Sequence, residues 1–80
     1  MKDEKLKYYI HDLGILIKEM ARQAKIDKDA AIKSPNAAYA IGYLMAMHEV
    51  ISLMKQQADA FDIRQNIICL ADIDPDSELL

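Results

Sequence analysis

Residues 37–61 decide the fold and read AAYAIGYLMAMHEVISLMKQQADAF. Apolar side chains recur in this stretch at alternating spacings of three and four residues. This is the heptad pattern of a helix that packs along its whole length against other helices. The members of this apolar stripe are Ala37, Ala40, Leu44, Met47, Ile51, Met54, Ala58 and Phe61. The pattern predicts one long helix over residues 35–61.

Signals at both ends support this helix. Ser34 can accept a hydrogen bond from a free backbone N–H at the helix start, and Pro35 suits the first helical position because its missing donor is not needed there. At the other end, Asp62 is predicted to adopt the left-handed conformation that closes a helix, with Ile63 folding back onto the last turn. We therefore expect the chain to reverse direction before and after this helix.

A second amphipathic helix precedes the first stretch. Apolar residues recur from Leu6 to Ala24 at spacings of four and three, which predicts a helix over about residues 2–25. Residues 27–29, Asp-Lys-Asp, interrupt the pattern. Two long amphipathic helices joined by a short connection favour an antiparallel helical hairpin.

The short length of the chain and the wide apolar surface of its second helix predict that it associates with other chains. A chain of 80 residues with one cysteine, Cys69, has no intrachain disulfide to stabilise it. The second helix is also apolar beyond its stripe, at Tyr43, Val50 and Leu53, so that a single neighbour would leave part of it in water. We predict an all-α hairpin that dimerises into a four-helix bundle, in a parallel or antiparallel arrangement; a tetramer and a complex with another chain are the alternatives. The expected assembly interface comprises Leu13, Ile17, Met20, Leu44, Met47, Ile51, Met54 and Phe61.

The C-terminal part divides into two pieces by composition. Residues 67–71 are apolar and are expected to dock on the hairpin. Residues 72–80 combine four acids with a proline, which predicts a mobile tail. The expected organisation is a helical hairpin domain over residues 1–71 and an acidic tail over residues 72–80. Gly14 and Gly42 both fall inside the helical patterns, and each is expected to mark a close helix approach or room for a large neighbour, with close packing preferred.

Charge argues against broad nucleic-acid binding. Residues 1–34 hold 8 Lys/Arg and 6 Asp/Glu, residues 35–80 hold 2 and 7, and the sum is −3. A short basic strip remains, with i, i+4, i+7 spacing, and it could touch phosphates, form a solvated face or receive the acidic tail. Tyr39 and Tyr43, which are four residues apart, could form an interaction patch with this basic strip across the hairpin. The partner-contact candidates are thus Lys18, Arg22, Lys25, Tyr39 and Tyr43.

No recognised catalytic or metal-binding motif is present. His11 and His48 each adjoin a carboxylate, but neighbouring residues on a helix point about 100° apart, and no HExxH or Glu-x-x-His pair occurs. The longest nearly apolar stretch, residues 37–47, is about half of the ~20 residues that a membrane span needs. We therefore expect a cytoplasmic protein without enzymatic activity, cofactor, metal or membrane partner.

These patterns predict a class of function rather than a reaction. The leading interpretation is a small non-catalytic helical module that forms a homodimer and offers a helical surface to a macromolecular partner, such as another protein. The alternative is an accessory factor that binds nucleic acid through the basic strip. Salt-sensitive binding to RNA or DNA would distinguish the nucleic-acid-binding factor from the protein-binding module.

Overall fold

The computed structural model describes residues 2–80, without the side chain of Lys2. It contains α1 (Lys2–Ala30), α2 (Ala37–Ala60) and α3 (Pro75–Glu78). The two long helices pack against each other, and residues 2–80 contain no strand. The prediction of an all-α chain built on a helical hairpin is confirmed, and its dimerisation stays a prediction.

Helix α1 continues past its predicted end at Lys25 to Ala30. The acidic residues expected to interrupt it are each bound by a side chain one turn earlier. Gln23 Nε2 donates to Asp27 Oδ1 at 2.9 Å, and Lys25 Nζ lies 3.4 Å from Asp29 Oδ1. Such i,i+4 pairs stabilise a helix surface, which explains why the helix runs through this segment.

Helix α2 begins at Ala37, two residues later than predicted. The Ser34 hydroxyl does accept a backbone N–H, but the donor is Asn36 at 3.1 Å, in the turn before the helix. Asn36 occupies the cap position without a side-chain hydrogen bond. The prediction that Pro35 is the first helical residue is wrong, because Ser34 stabilises the connecting turn instead of the first helical turn.

The end of α2 forms as predicted. Asp62 is left-handed, with φ 57°. The Ile63 N–H donates to the Ala58 carbonyl at 2.7 Å, and the Asp62 N–H donates to the Asp59 carbonyl at 3.1 Å. These two bonds are the Schellman arrangement that satisfies free carbonyls at a helix end. Helix α2 therefore stops sharply, and the chain turns back along the hairpin.

The core is built from α1, α2 and the residues that follow α2. The largest side chains buried almost completely are Ile51 of α2 and Leu70, Ile73 and Leu79 of residues 63–80, which we call the C-terminal segment. As predicted, its apolar part docks, with Ile68 also buried. Residues 72–80 do not all stay in solvent, because apolar residues such as Ile73 and Leu79 lie between the acids and face the hairpin. Whether residues 72–80 are mobile stays a prediction.

The apolar stripe of α2 is mostly buried within this single chain. The side chains of Ala40, Leu44, Met47, Ile51 and Ala58 are buried, and Met54 packs against them. Phe61 departs from the pattern, with 72% of its surface exposed, because it follows the last turn of the helix at its capped end.

The two glycines differ in their surroundings. A Cβ atom built at Gly14 would lie 1.7 Å from the Ile68 carbonyl oxygen, so the C-terminal segment crosses α1 in direct contact with its backbone. A Cβ atom at Gly42 would meet no atom within 4 Å. Gly14 therefore marks a close approach, but by the C-terminal segment and not by a helix, and Gly42 marks none among the described residues.

Candidate interaction surface

The basic strip of α1 is occupied by the C-terminal segment. Lys18 is only 9% exposed, and its Nζ donates to Asp72 Oδ1 at 2.6 Å and to the Cys69 carbonyl at 2.9 Å. The hydrogen bond to Asp72 raises the pKa of Lys18, and the same bond lowers the pKa of Asp72. Each group thus favours the charged form of the other.

The other two cations of the strip make similar contacts. Arg22 Nη2 donates to the Asp72 carbonyl at 3.1 Å and lies 3.5 Å from Glu78 Oε1. Lys25 Nζ donates to the Leu80 carbonyl at 2.5 Å. The C-terminal segment therefore folds back on all three basic side chains, which is one of the three interpretations that the sequence left open.

Helix α2 holds the same segment from its own side. His48 Nε2 lies 2.9 Å from Asp76 Oδ1, and Lys55 Nζ donates to the Ile73 carbonyl. Sequence reasoning gave neither residue this role, although the four-residue spacing of Asp72 and Asp76 was a visible signal. Among the described residues, no group of three or more His, Cys, Asp or Glu side chains is arranged to hold a metal ion.

On the opposite side of the hairpin, no part of the described residues 2–80 forms such a cover. Successive helical residues are rotated by about 100°, so Met20 lies about 200° around α1 from Lys18, and Val50 lies about 200° around α2 from His48. The large apolar side chains on this side range in exposure from 38% for Tyr43 to 74% for Tyr39. We call this surface the open face; its large members are Leu16, Met20, Tyr39, Tyr43, Val50 and Leu53.

A cleft of about 880 Å³ opens where the two helices join the connecting turn. We call it the tyrosine cleft; its apolar and aromatic lining includes Met20, Ala24, Tyr39, Ala40 and Tyr43. Polar side chains also line it, namely Glu19, Gln23, Asp27, Ser34 and Asn36. The two tyrosine rings are 6.2 Å apart between centroids and tilted by 39°. The three cations of the basic strip contact the C-terminal segment on the other side of the hairpin, and a patch that joins them to the tyrosines stays a prediction.

A second, strongly apolar pocket of about 460 Å³ lies at the far end of the hairpin. Its lining includes Leu6, Ile10, Met54, Phe61 and Ile63. Phe61 forms part of its rim and is largely exposed. The tyrosine cleft and this second pocket therefore lie at opposite ends of the hairpin.

The predicted assembly residues fall into two groups. Leu44, Met47 and Ile51 lie in the core of the chain itself, and Leu13, Ile17 and Met54 are half-buried there. Only Met20 and Phe61 are exposed, Met20 with about half of its surface and Phe61 with most of it. Contact with a second chain stays a prediction for all eight.

Helix α2 is long and apolar enough, by length and composition, to cross a membrane. Only 17% of its most apolar 18-residue window is buried within the chain. The nearly apolar stretch of residues 37–47 is therefore only part of a longer apolar surface. The expectation of a chain without a membrane partner stays a prediction.

No protein-family model matches the chain, and neither curated proteins nor solved structures show significant similarity to it. The open face and the occupied basic strip are therefore the two surfaces that bear on function.

Proposed function

We propose that this protein is a non-catalytic helical assembly module that forms a homodimer through its open face. The observation that carries the proposal is the row of exposed apolar residues Tyr39, Tyr43, Ala46, Val50 and Leu53 along α2. Their spacings of four, three, four and three residues repeat the heptad pattern on a second side of the same helix. A helix with two apolar sides is typical of a bundle with more than two helices.

The accessible surface supports a partner of comparable size. A compact monomer of 9.1 kDa is expected to expose about 4,900 Å², and this chain exposes 5871 Å². The excess of about 1,000 Å² is similar to the roughly 800 Å² that each partner buries in an interface of standard size. The elongated shape, 49 × 21 × 16 Å, provides a flat side along which two copies can pack.

The contacts of the basic strip weigh against the alternative of nucleic-acid binding. Lys18, Arg22 and Lys25 are all directed at carboxylate or carbonyl oxygens of the C-terminal segment. Phosphate binding would require these cations to release those oxygens, and phosphate contacts provide most of the non-specific affinity for nucleic acids. The open face, which no described segment of the chain covers, is the better supported interaction surface.

The test is solution mass by sedimentation equilibrium at about 10 µM and above. The wild-type chain is expected to have the mass of two chains. Leu53→Glu places a charge on the open face at a side chain that is 60% exposed, so the fold is retained and the mass falls to that of one chain. Circular dichroism checks that the variant is still helical.

The matched control is Ile26→Glu, because Ile26 is also 60% exposed. It lies about 120° around α1 from Met20, off the open face, and the variant is expected to keep the two-chain mass. A wild-type monomer, or a Leu53→Glu variant that still dimerises, contradicts the proposal. So does a chain that binds phosphatidylcholine vesicles and does not self-associate, since its open face then serves a bilayer.

A further inference from the structure

Phe61 is an aromatic side chain at the rim of the second pocket, and it is largely exposed among the described residues. It is the only phenylalanine, and 72% of its surface is exposed. The Schellman bonds at Asp62 and Ile63 hold the chain on both sides of it in a defined path. Phe61 directly follows Ala60, the last residue of α2, and lies 18 residues after Tyr43. Because 18 residues are five complete helical turns, helical geometry places Phe61 on the same side of α2 as Tyr43.

The tyrosine cleft provides a site of suitable size and chemistry at the other end of the same face. Ala24 and Ala40 are buried at its base, whereas Tyr39 and Tyr43 are exposed beside it. Aromatic pairs are favourable at centroid separations of 4.5–7 Å, as the two tyrosines themselves show at 6.2 Å. A third aromatic ring would therefore find both an apolar base and aromatic neighbours.

The order of large and small residues along α2 favours one direction of packing. In a parallel pair, Tyr39 would meet Tyr39, Ala46 would meet Ala46 and Phe61 would meet Phe61, so the ring of Phe61 would lie far from the tyrosine cleft of the other copy. In an antiparallel pair with its two-fold axis near Val50, Phe61 of one copy comes level with Tyr39 and Ala40 of the other. The opposed helix dipoles of an antiparallel pair are also favourable.

We propose that the second copy binds antiparallel, with Phe61 of each chain inserted into the tyrosine cleft of the other. The inference rests on the proposed homodimer and specifies its geometry. Because a two-fold interface repeats every contact, the dimer contains two equivalent insertions, one at each end. The open face between them, around Val50, forms the contact at the axis.

Cysteine cross-linking tests the direction of packing. In a Cys69→Ser background, which removes the only native thiol, Tyr39→Cys and Ala60→Cys are made separately. In the antiparallel dimer two copies of residue 39 are about 33 Å apart, whereas residue 39 lies beside residue 60 of the other copy. Oxidation is therefore expected to link chains only when the two variants are mixed before cross-linking.

The contribution of the aromatic ring is measured with Phe61→Ala in the otherwise native chain. Loss of two buried phenyl groups is expected to raise the dimer dissociation constant by about tenfold or more. Ile26→Ala, which also removes an exposed apolar side chain, is expected to leave the dissociation constant unchanged. Sedimentation measures both variants.

The outcomes separate this inference from the proposed function. Tyr39→Cys that links to itself, or Phe61→Ala with native affinity, overturns the antiparallel insertion while the two-chain mass upholds the homodimer. A wild-type chain with the mass of one chain overturns both. Cross-links confined to the mixture, together with weakened Phe61→Ala dimers, support the insertion.

Discussion

Lys18 shows, at the scale of one residue, how a tertiary contact changes the meaning of a sequence position. Its place on the helical wheel predicts a solvated cation beside Arg22 and Lys25. In the structure its ammonium group is almost buried and donates to Asp72 and Cys69. The helical period determines the direction of the side chain, but the acceptors come from a segment more than 50 residues further along the chain.

The ion pair of Lys18 and Asp72 predicts a dependence of stability on pH. The pKa of Asp72 is lowered, so its contribution is present above about pH 4 and is lost as pH falls through the lowered pKa. The pKa of Lys18 is raised, so its contribution is present below about pH 10 and is lost as pH rises through the raised pKa.

Asp72→Asn is therefore expected to lower the free energy of unfolding at pH 7 and to flatten its decrease below about pH 4. Urea unfolding at several pH values measures both effects. The control is Asp12→Asn, which removes an exposed carboxyl of α1. Equal acid dependence in Asp72→Asn and the wild type would show that the pair does not contribute.

The two glycines give a matched pair of substitutions. Gly14→Ala places a methyl group 1.7 Å from the Ile68 carbonyl oxygen, and the forced displacement is expected to cost about 1–3 kcal/mol of stability. Gly42→Ala meets no atom and is expected to stabilise α2 by up to about 1 kcal/mol. Thermal or urea unfolding measures both. A stabilised Gly14→Ala variant would mean that the segment does not cross α1 so closely.

At the scale of elements, the helix and its cap follow local rules, whereas the C-terminal segment does not. The Schellman end of α2 is predictable because it involves only neighbouring residues, Ala58 to Ile63. The segment after it has too few residues between acids and proline for a clear period. Its burial depends on the groove that the two long helices create.

Truncation of one side chain tests whether this segment belongs to the folded core. Ile73 is 1% exposed, and Ile73→Ala is expected to cost about 2–5 kcal/mol, as is Ile51→Ala in α2. Ile32→Ala, at a side chain that is 67% exposed, is expected to change stability by less than about 0.5 kcal/mol. Urea unfolding measures the series. A similarly small loss for Ile73→Ala would support the mobile tail predicted from composition.

At the scale of the whole molecule, charge and apolar surface are distributed on different sides. Residues 1–62 contain 9 Lys/Arg and 9 Asp/Glu, whereas residues 63–80 contain 1 and 4, so the net charge of −3 arises in the C-terminal segment. That segment binds the basic side of the hairpin and leaves the opposite side apolar and exposed. The sedimentation and cross-linking experiments address this exposed side, where a second copy has the space and the chemistry to pack.

The amino-acid sequence by itself determined the helical class, the two long helices, the left-handed closure at Asp62 and the excess apolar width of α2, because each depends on period or neighbouring residues. Only the tertiary structure decided that Lys18, Arg22 and Lys25 are occupied, that Gly14 contacts Ile68, and which apolar stripe of α2 remains exposed. Those facts depend on which distant segment fills each groove of the hairpin. Which segment fills which groove depends on the packing of the complete chain and not on any local pattern.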